Sequence, residues 1–258
     1  MPDVLVVIPA RWASSRFPGK VLARLGGRPL VTRVCAVAAR AASVARVVVA
    51  TDAEQVRDAV RAEGFEAELT APEHPSGTDR VAEVAARHAA DGPVIGLQAD
   101  EPFLDPRDID VLAAALAGPD AAPLATLRVP LRSREAWLDP NTVKVTVDGA
   151  GRALYFSRAP IPYRRPAQGL PAFPPDGDPP DGTWQHVGVY GWRGDALRRF
   201  TRLAPSPLER AEGLEQLRAL EDGWTVRVLE ARGTPFGIDT PQDLERAERW
   251  LLEHGDDR

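Results

Sequence analysis

The chain has 258 residues, of which 44% are hydrophobic and 27% are charged, so its composition excludes a disordered chain and allows a substantial core. The formal net charge of −5 disfavours nonspecific binding to nucleic acid. The single cysteine excludes an internal disulfide, and no apolar run reaches the ~20 residues that a membrane span needs. We expect a cytoplasmic protein that binds neither nucleic acid nor membrane.

Strand-like and helix-like segments alternate through the first half of the chain. Residues 4–9 form an apolar, largely β-branched run that is typical of a strand buried on both faces. Further strands are predicted at 46–51, 66–69, 93–98 and 124–130, and helices at 29–42, 53–63, 76–90 and 106–117. We expect Asp52 to cap the second helix and Gly64 to end it. This order predicts an α/β fold with a mostly parallel, Rossmann-like sheet and helices on both faces.

After about residue 130 the predicted strands are joined by loops instead of helices. These strands lie at 142–147, 153–156 and 185–192, and a helix at 207–221, a strand at 225–229 and a terminal helix at 240–254 follow. The Pro-rich segment 164–183 predicts an exposed or partly disordered loop. We expect Thr240 or Asp239 to cap the terminal helix. The chain is thus predicted to be one domain, 1–258, with a smaller mixed β lobe at about 130–200 that acts as a lid or a dimerisation surface.

The loop after the first predicted strand carries the strongest functional signal. Arg11, Arg16 and Lys20 lie there among small residues, at the carboxyl end of a parallel strand, which is a natural place for an anion. The loop matches neither GxxxxGK[ST] nor GxGxxG, so a P-loop NTPase and a dinucleotide dehydrogenase are unsupported. Three cations suit a triphosphate and a leaving pyrophosphate. The alternative is a solvated surface loop.

Two carboxylates follow predicted apolar elements farther along the chain. Asp100 comes directly after the strand at 93–98, and Asp239 precedes the terminal helix. Mg²⁺ usually takes one or two carboxylates together with phosphate oxygens and water. A helix cap is the alternative for each, and for Asp239 the two roles are compatible. The turn at 75–80 opens a helix with small residues, so its backbone either reads a base edge or is a plain cap.

Nine motifs in this chain resemble those of the 3-deoxy-manno-octulosonate (KDO) cytidylyltransferase family, the CMP-KDO synthetases, in the family's order and at compatible spacing. They are IPARWASSRFPGK, VVVATD, HPSGTDR, QADEP, NTVKV, ALYFSRAPIP, QHVGVYGWR, PSPLERAEGLEQLR and GIDTPQDLE. The resemblance runs nearly end to end. It implies a homodimeric, nucleotidyltransferase-type enzyme that transfers CMP from CTP to the C2 hydroxyl of KDO. The products would be pyrophosphate and CMP-KDO, for lipopolysaccharide or another surface glycan.

The resemblance also implies roles for single residues. Asp100 and Asp239 would be the ligands of Mg²⁺, and Arg11, Lys20 and Asp100 would be catalytic. The residues implied at the nucleotide are Arg11, Arg16, Lys20, Ser76, Gly77 and Arg80. Those implied at the sugar acid are Gln98, Arg158, His186, Tyr190, Glu215 and Gln216. For this second group structural explanations stay open: core positions on one strand face for His186 and Tyr190, a surface ion pair for Arg158, and an exposed helix position for Glu215.

Three departures from the family pattern bear on the acceptor. Ala99 stands where Gly is usual and would be strained if that position required a positive φ. Gln185 stands where Arg is common, and the Pro-rich segment 164–183 differs in composition. A competing hypothesis is therefore the same reaction on a related sugar acid, such as an amino-KDO or a sialic acid.

Two further hypotheses place the chain in different classes of protein. A non-catalytic nucleotide-binding or regulatory subunit has no need of two metal carboxylates, which argues against it. A sugar-1-phosphate nucleotidyltransferase would have a GxGxR-type loop after the first strand, and that loop is absent from the sequence.

Overall fold

The computed structural model describes residues 3–13, 17–88, 90–118, 121–163, 165, 179 and 181–255. Its strands are β1 (Val4–Ala10), β2 (Arg24–Leu25), β3 (Arg28–Pro29), β4 (Val44–Thr51), β5 (Glu66–Leu69), β6 (Pro93–Gly96), β7 (Leu124–Pro130), β8 (Lys144–Val147), β9 (Ala153–Ser157), β10 (Trp184–Arg193) and β11 (Val226–Glu230). Its helices are α1 (Leu30–Ala39), α2 (Glu54–Ala62), α3 (Gly77–Arg87), α4 (Pro106–Ala115), α5 (Arg134–Leu138), α6 (Gly194–Phe200), α7 (Pro207–Glu212), α8 (Gln216–Glu221) and α9 (Pro241–His254).

The central sheet has the strand order β11-β7-β10-β6-β1-β4-β5. Its strands run parallel, except that β10 is antiparallel to both of its neighbours, β6 and β7. The carboxyl ends of β1, β6, β7 and β11 therefore meet at one edge, together with the first residues of β10. Strands β8 and β9 form an antiparallel hairpin that pairs with the start of β10, within the predicted β lobe. The predicted fold class is confirmed.

Helices cover both faces of this sheet. On one face, apolar residues of α1, α2 and α4 pack against the sheet, with Val34, Val60 and Leu112 fully buried. On the other face, α3, α6 and α8 pack against it, where Val84 and Leu217 are fully buried. Every residue of β1 is buried, as its unbroken apolar run predicts.

Two predictions of local structure are wrong. The predicted helix at 207–221 is divided into α7 and α8, because Gly213 takes the left-handed conformation with a φ of 64° and ends α7. Asp52 does not cap α2, whose N-cap residue is Ala53. The carboxylate of Asp52 instead accepts hydrogen bonds from the backbone N–H of Trp12 and from Arg80, so it joins two loops.

Two predicted helix ends agree with the structure, and some short elements were not predicted. Gly64 follows α2 with a φ of 86°, and Thr240 caps α9 by accepting from the backbone N–H of Asp243. The β2–β3 hairpin, a short 3₁₀ helix at Lys20–Leu22, α5 and α6 carry little periodic signal because each is short. Most of the segment 164–183 lies outside the described residues. No helix in the described part of the chain is long and apolar enough to cross a membrane.

Candidate active site

The basic loop leaves the sheet at the carboxyl end of β1 and returns through a tight turn. Gly19 adopts a φ of 69°, which favours glycine, and it starts the 3₁₀ helix that holds Lys20. The Trp12 ring covers this turn, since a Cβ added to Gly19 would lie 3.0 Å from it. The guanidinium of Arg11 donates to the backbone oxygen of His74 over 2.7 Å. Arg16 lies outside the described residues.

Lys20 lies between the two predicted metal carboxylates. Its Nζ is 2.7 Å from Oδ2 of Asp100 and 2.9 Å from Oδ1 of Asp239. The backbone N–H of Ile238 donates to the backbone oxygen of Asp100 over 3.0 Å and holds the two carboxylate loops together. Burial alone would lower the pKa of Lys20, but attraction to Asp100 and Asp239 outweighs it and raises that pKa above its ordinary value. Three groups from distant parts of the sequence thus form one compact charge cluster.

This cluster meets a simple test of fit for a divalent cation. Asp100 and Asp239 offer only carboxylate oxygens, which hard cations such as Mg²⁺ prefer. They already converge on one positive charge, the ammonium of Lys20. Within the described ranges there is no group of three or more His, Cys, Asp or Glu side chains that could hold a metal. A cation here would therefore take two protein carboxylates and complete its shell with substrate oxygens and water.

A third carboxyl group, that of Glu101, adjoins this cluster. Burial, with the nearby charges of Asp100 and Asp239, raises the pKa of Glu101 to about 8. Its Oε2 is shielded from solvent and makes no hydrogen bond to any described residue. Glu101 is therefore neutral at pH 7 and adds no negative charge beside the two carboxylates. Sequence analysis found this residue in the QADEP motif without assigning it a role.

The turn before α3 lies against the end of β1. Ser76 is the N-cap of α3, and its Oγ accepts from the backbone N–H of Asp79 over 3.2 Å, so the expected cap is present. A Cβ on Gly77 would lie 3.4 Å from the ring of Pro9 and 3.9 Å from Oε1 of Gln98. These are ordinary contact distances, so the glycine keeps the junction free of a side chain but is not sterically required there, and Gln98 reaches it from the end of β6.

Arg80 is a fully buried support for this side of the site. Its Nη2 donates to Asp52 over 3.2 Å, and its Nη1 donates to Thr70 Oγ1. Asp52 in turn accepts from the backbone of Trp12, in the basic loop. Arg80 therefore connects the basic loop to the turn before α3, which agrees with a supporting position more than with direct contact to a ligand.

His186 and Tyr190 lie on one face of β10, as their spacing predicts. His186 Nε2 is 2.8 Å from Oγ1 of Thr126, and the same hydroxyl lies 2.7 Å from the backbone oxygen of Val189. Because that hydroxyl has a single proton to donate, the arrangement suits a neutral imidazole that donates from Nε2. Burial lowers the pKa of His186 to about 3, so the ring stays neutral.

The start of helix α8 lies against this face of β10. The hydroxyl of Tyr190 donates to Oε1 of Gln216 over 2.9 Å, and burial, then the charge of Glu215, raises the pKa of Tyr190. Gln216 is 2% exposed, yet its Nε2 donates to no described residue. Glu215 accepts from the hydroxyl of Thr78 in α3. The predicted acceptor residues of β10 and α8 are therefore brought together, next to the first turn of α3.

Arg158 stands apart from this group. Its Nε donates to the backbone oxygen of Glu212 over 2.7 Å and its Nη1 to that of Pro140 over 2.9 Å. The Glu212 carboxylate accepts from the backbone N–H of Arg158 and from Ser157 Oγ. The structure therefore does not show Arg158 in a surface ion pair with a described residue. Much of its donor capacity serves the backbone instead.

Several residues in these contacts were missed by sequence analysis. Thr126, Thr78, Glu212 and Asp52 each bond to a predicted site residue across a long stretch of chain. Asp52, Thr78 and Glu212 lie in the motifs quoted above and Asp52 was predicted to be a helix cap, but no local pattern signals which residues these four contact. Ala99, one of the departures from the family pattern, packs in the hydrophobic core at 6% exposure, so its methyl group is accommodated there.

The chain is similar to known proteins over most of its length. A family model described as cytidylyltransferase matches residues 5–229. The 3-deoxy-manno-octulosonate cytidylyltransferase of Syntrophotalea carbinolica is 47% identical over 96% of this chain and 98% of its own length. The protein of the same name from Geobacter metallireducens is 44% identical over 94% of this chain and 95% of its own length.

Solved structures extend the comparison. A CMP:2-keto-3-deoxy-manno-octonic acid synthetase complexed with CTP superposes with a TM-score of 0.86 at 40% identity, over 97% of this chain and 99% of that one. A putative glucose-1-phosphate thymidylyltransferase from Bacillus anthracis, at 12% identity and a TM-score of 0.66 over 96% of this chain and 95% of its own, shares the fold alone. With relatives this similar over nearly their whole length, the chain belongs to the 3-deoxy-manno-octulosonate cytidylyltransferase family.

Proposed function

We propose that this chain transfers CMP from CTP to the C2 hydroxyl of KDO and releases pyrophosphate. The hydroxyl oxygen attacks the α-phosphorus, the bond from that phosphorus to the bridging oxygen of the β-phosphate breaks, and the hydroxyl proton is lost. The observation that carries the proposal is the cluster of Lys20, Asp100 and Asp239, which has the charges that this reaction needs. The family relationship supplies the substrates, since one relative was solved with CTP.

The nucleotide would lie along the carboxyl ends of β1 and β6. Arg11 and Lys20, with Arg16, neutralise the triphosphate, and charge-assisted hydrogen bonds of this kind are short and strong. Ser76 and Gly77 border the cytosine, where the missing side chain of Gly77 lets a base approach the backbone. Arg80 stabilises the basic loop and the turn before α3 through its contact with Asp52. In this arrangement the chain's own cations hold the phosphates while the acceptor arrives from β10 and α8.

Nucleotidyltransferases of this kind generally use a divalent metal, and we assign Asp100 and Asp239 as its ligands, with Mg²⁺ as the ion. The bound ion would neutralise phosphate charge and lower the pKa of the attacking hydroxyl. Lys20 needs to leave the carboxylates when the ion binds, and its long side chain then reaches the triphosphate.

The sugar acid would occupy the pocket between β10 and α8. Gln98, His186, Tyr190, Glu215 and Gln216 would offer it donors and acceptors for hydroxyl groups. We assign Arg158 to the acid from the family resemblance, although two of its nitrogens already donate to the backbone. The unpaired Nε2 of buried Gln216 is the clearest sign of a missing partner, because a buried polar group without a hydrogen bond is costly. A hydroxyl of the acceptor would satisfy it.

We assign the residues at about 130–200, within one domain of 1–258, to a lobe that forms a homodimer. Leu154 is 62% exposed and Tyr163 is 67% exposed in this lobe, so both side chains are available for contact with a second copy of the chain. Sedimentation of the wild type and of a Leu154→Asp variant tests this assignment. A dimer that becomes monomeric supports it, and a wild-type monomer contradicts it.

The reaction itself is tested by pyrophosphate release from CTP and Mg²⁺ with a panel of 2-keto sugar acids that includes KDO, an amino-KDO and a sialic acid. We expect turnover with KDO and none with an Asp100→Asn variant. Turnover with another acid but not with KDO would move the chain to the related reaction. Binding of CTP without turnover on any acid would leave a non-catalytic nucleotide-binding subunit as the explanation.

A further inference from the structure

An arginine that no motif includes lies beside the acceptor pocket. Arg128 on β7 is the cross-strand partner of His186 on β10. Directly opposed residues of an antiparallel pair share one face, with their Cβ atoms about 5 Å apart. Thr126, two residues earlier on β7, confirms the face because its hydroxyl bonds to His186. Arg128 therefore projects into the same region as the predicted contacts of the sugar acid.

The guanidinium of Arg128 is held in place by an aromatic ring. Its Cζ lies 3.8 Å from the centroid of the Trp184 ring, close enough for a strong cation–π contact. Trp184 is the first residue of β10, at the edge of the sheet where the active-site loops meet. This stacking fixes the plane of the guanidinium and reduces the entropy that Arg128 would lose on binding a ligand.

The donor groups of Arg128 are nevertheless left without acceptors. Its Nε and Nη1 are buried, and neither has a hydrogen-bond partner among the described residues. Glu230, its register partner on β11, is exposed, and it attracts the guanidinium through charge without a hydrogen bond to it in the described structure. Buried donors without partners are rare in folded proteins and call for an explanation, such as a ligand or an ordered water.

Arg158 makes an instructive contrast. Its Nε and Nη1 already donate to the backbone oxygens of Glu212 and Pro140. The same two nitrogen positions of Arg128 are unused by the described residues. A guanidinium that is flat, fixed and unpaired matches a carboxylate, which accepts two parallel hydrogen bonds. On this face of the strand pair, Arg128 is the positively charged residue directly opposite His186.

We propose that Arg128 binds the carboxylate of the acceptor sugar acid and thereby contributes to acceptor specificity. The proposal rests on the proposed function, since it assumes that a sugar acid occupies the pocket of His186 and Tyr190. Trp184 acts as a positioning residue that orients the guanidinium. His186 stays neutral beside it, so Arg128 does not have to compete with a second positive charge.

The test measures the two substrates separately in an Arg128→Gln variant. We expect the KM for the sugar acid to rise about 10- to 100-fold, the range for a lost hydrogen bond to a charged group, with the KM for CTP within about twofold of wild type. Arg128→Lys keeps the charge but not the planar pair of donors. Its KM for the sugar acid should therefore lie between those of the wild type and Arg128→Gln. Arg193→Gln, at the far end of β10, is the matched control and should change neither KM.

A second measurement asks whether the carboxylate is the group that Arg128 contacts. Competitive inhibition by the C1 carboxamide of the acid is compared with binding of the acid itself. In the wild type the acid should bind more tightly than its amide, and in Arg128→Gln this preference should shrink by the same factor as the KM rises. An unchanged preference, or an unchanged KM for the acid, overturns the proposal and leaves a water as the partner of these donors.

Failure of this inference is distinguishable from failure of the proposed function. If the wild type turns over KDO and Arg128→Gln does so with the same KM, only the inference fails. If the wild type turns over no sugar acid, the proposed function fails, and calorimetric titration of the acid into the CTP-loaded wild type and Arg128→Gln still decides the role of Arg128. Equal affinity of the two proteins, or no binding by either, contradicts it.

Discussion

The nucleotide side and the acceptor side of this site are stabilised in different ways. On the nucleotide side, Lys20, Asp100 and Asp239 are charged groups on loops, and they hold one another through hydrogen bonds of 2.7 and 2.9 Å. On the acceptor side, His186 is buried in the sheet, Tyr190 is half-buried and bonds to Gln216 of α8, and both are uncharged. The first region depends on a balance of charges, whereas the second depends on burial and neutral hydrogen bonds.

This difference determines how each region responds to change. A charge cluster at the edge of a sheet tolerates loss of one member structurally, because water and ions replace it, but its function depends on every charge. The neutral groups of His186 and Gln216 have no such reserve, because they are buried where water does not replace a lost partner. We therefore expect substitutions on the nucleotide side to reduce turnover with little loss of stability, and those on the acceptor side to affect stability and sugar-acid binding together.

The largest effect is expected at Lys20. A Lys20→Met variant should lose about 10²- to 10³-fold in kcat, the usual cost of removing a group that stabilises transition-state charge. Its fold should persist, because the side chain lies at the site and not in the apolar core. Steady-state kinetics of pyrophosphate release and thermal melting measure the two properties. Arg24→Gln, on the nearby β2–β3 hairpin, is the control and should keep wild-type kcat.

The same variant gives a readout that does not depend on catalysis. In the wild type an added cation has to displace the ammonium of Lys20 from Asp100 and Asp239. In Lys20→Met the carboxylates repel each other until a cation binds, so Mg²⁺ should raise the melting temperature of the variant more than that of the wild type. A large fall in melting temperature that Mg²⁺ does not recover would show that Lys20 is structural.

An intermediate effect is expected from the buried imidazole of His186. Its pKa of about 3 lies well below the value of about 6.5 that a histidine has in the unfolded chain. The unfolded state therefore binds more protons below pH 6.5. Stability from this group is complete above that pH and falls progressively as the pH drops towards 3. The wild type should lose about 2 kcal/mol of unfolding free energy between pH 7 and pH 5 from this residue alone.

A His186→Gln variant removes this contribution. The unfolding free energy, measured with denaturant, should fall between pH 7 and pH 5 by about 2 kcal/mol less in this variant than in the wild type. The variant is also expected to be less stable at pH 7, because the hydrogen bond to Thr126 is altered. The comparison therefore concerns only the change with pH. An equal change in both proteins would mean that His186 is not buried as the structure places it.

The same contrast explains what could be predicted from sequence. The residues of the nucleotide side follow apolar strands directly, so the position of Asp100 or Lys20 at the sheet edge is readable from local pattern. Contacts such as Thr126 with His186, or Thr78 with Glu215, join residues 60 and 137 positions apart, and no local pattern encodes them. The pairing of β10 between β6 and β7 was likewise unpredictable, because antiparallel insertion leaves no mark on the strand itself.

Short-range errors have a different origin. The helix predicted at 207–221 has suitable helical residues on both sides of Gly213, and the single glycine decides where it is divided. Asp is a favoured residue type at a helix N-cap, but Asp52 pairs with Arg80 instead. The buried guanidinium of Arg80 needs a carboxylate more than the exposed start of α2 does. In both cases a tertiary contact or one backbone conformation overrides a local preference.

The smallest effect is expected at Gly213, which lies on the acceptor side between α7 and α8. A Gly213→Ala variant should lose about 1 kcal/mol of unfolding free energy, because a φ of 64° is unfavourable for a residue with a Cβ. The Cβ itself has room, since the nearest atoms, on Arg158, lie 4.0 Å away, so the cost is conformational and not steric. Gly233→Ala is the control, because Gly233 has no positive φ and no described atom near its Cβ position. Denaturant unfolding measures both variants, and equal losses in the two would show that the positive φ of Gly213 is not the source of the cost.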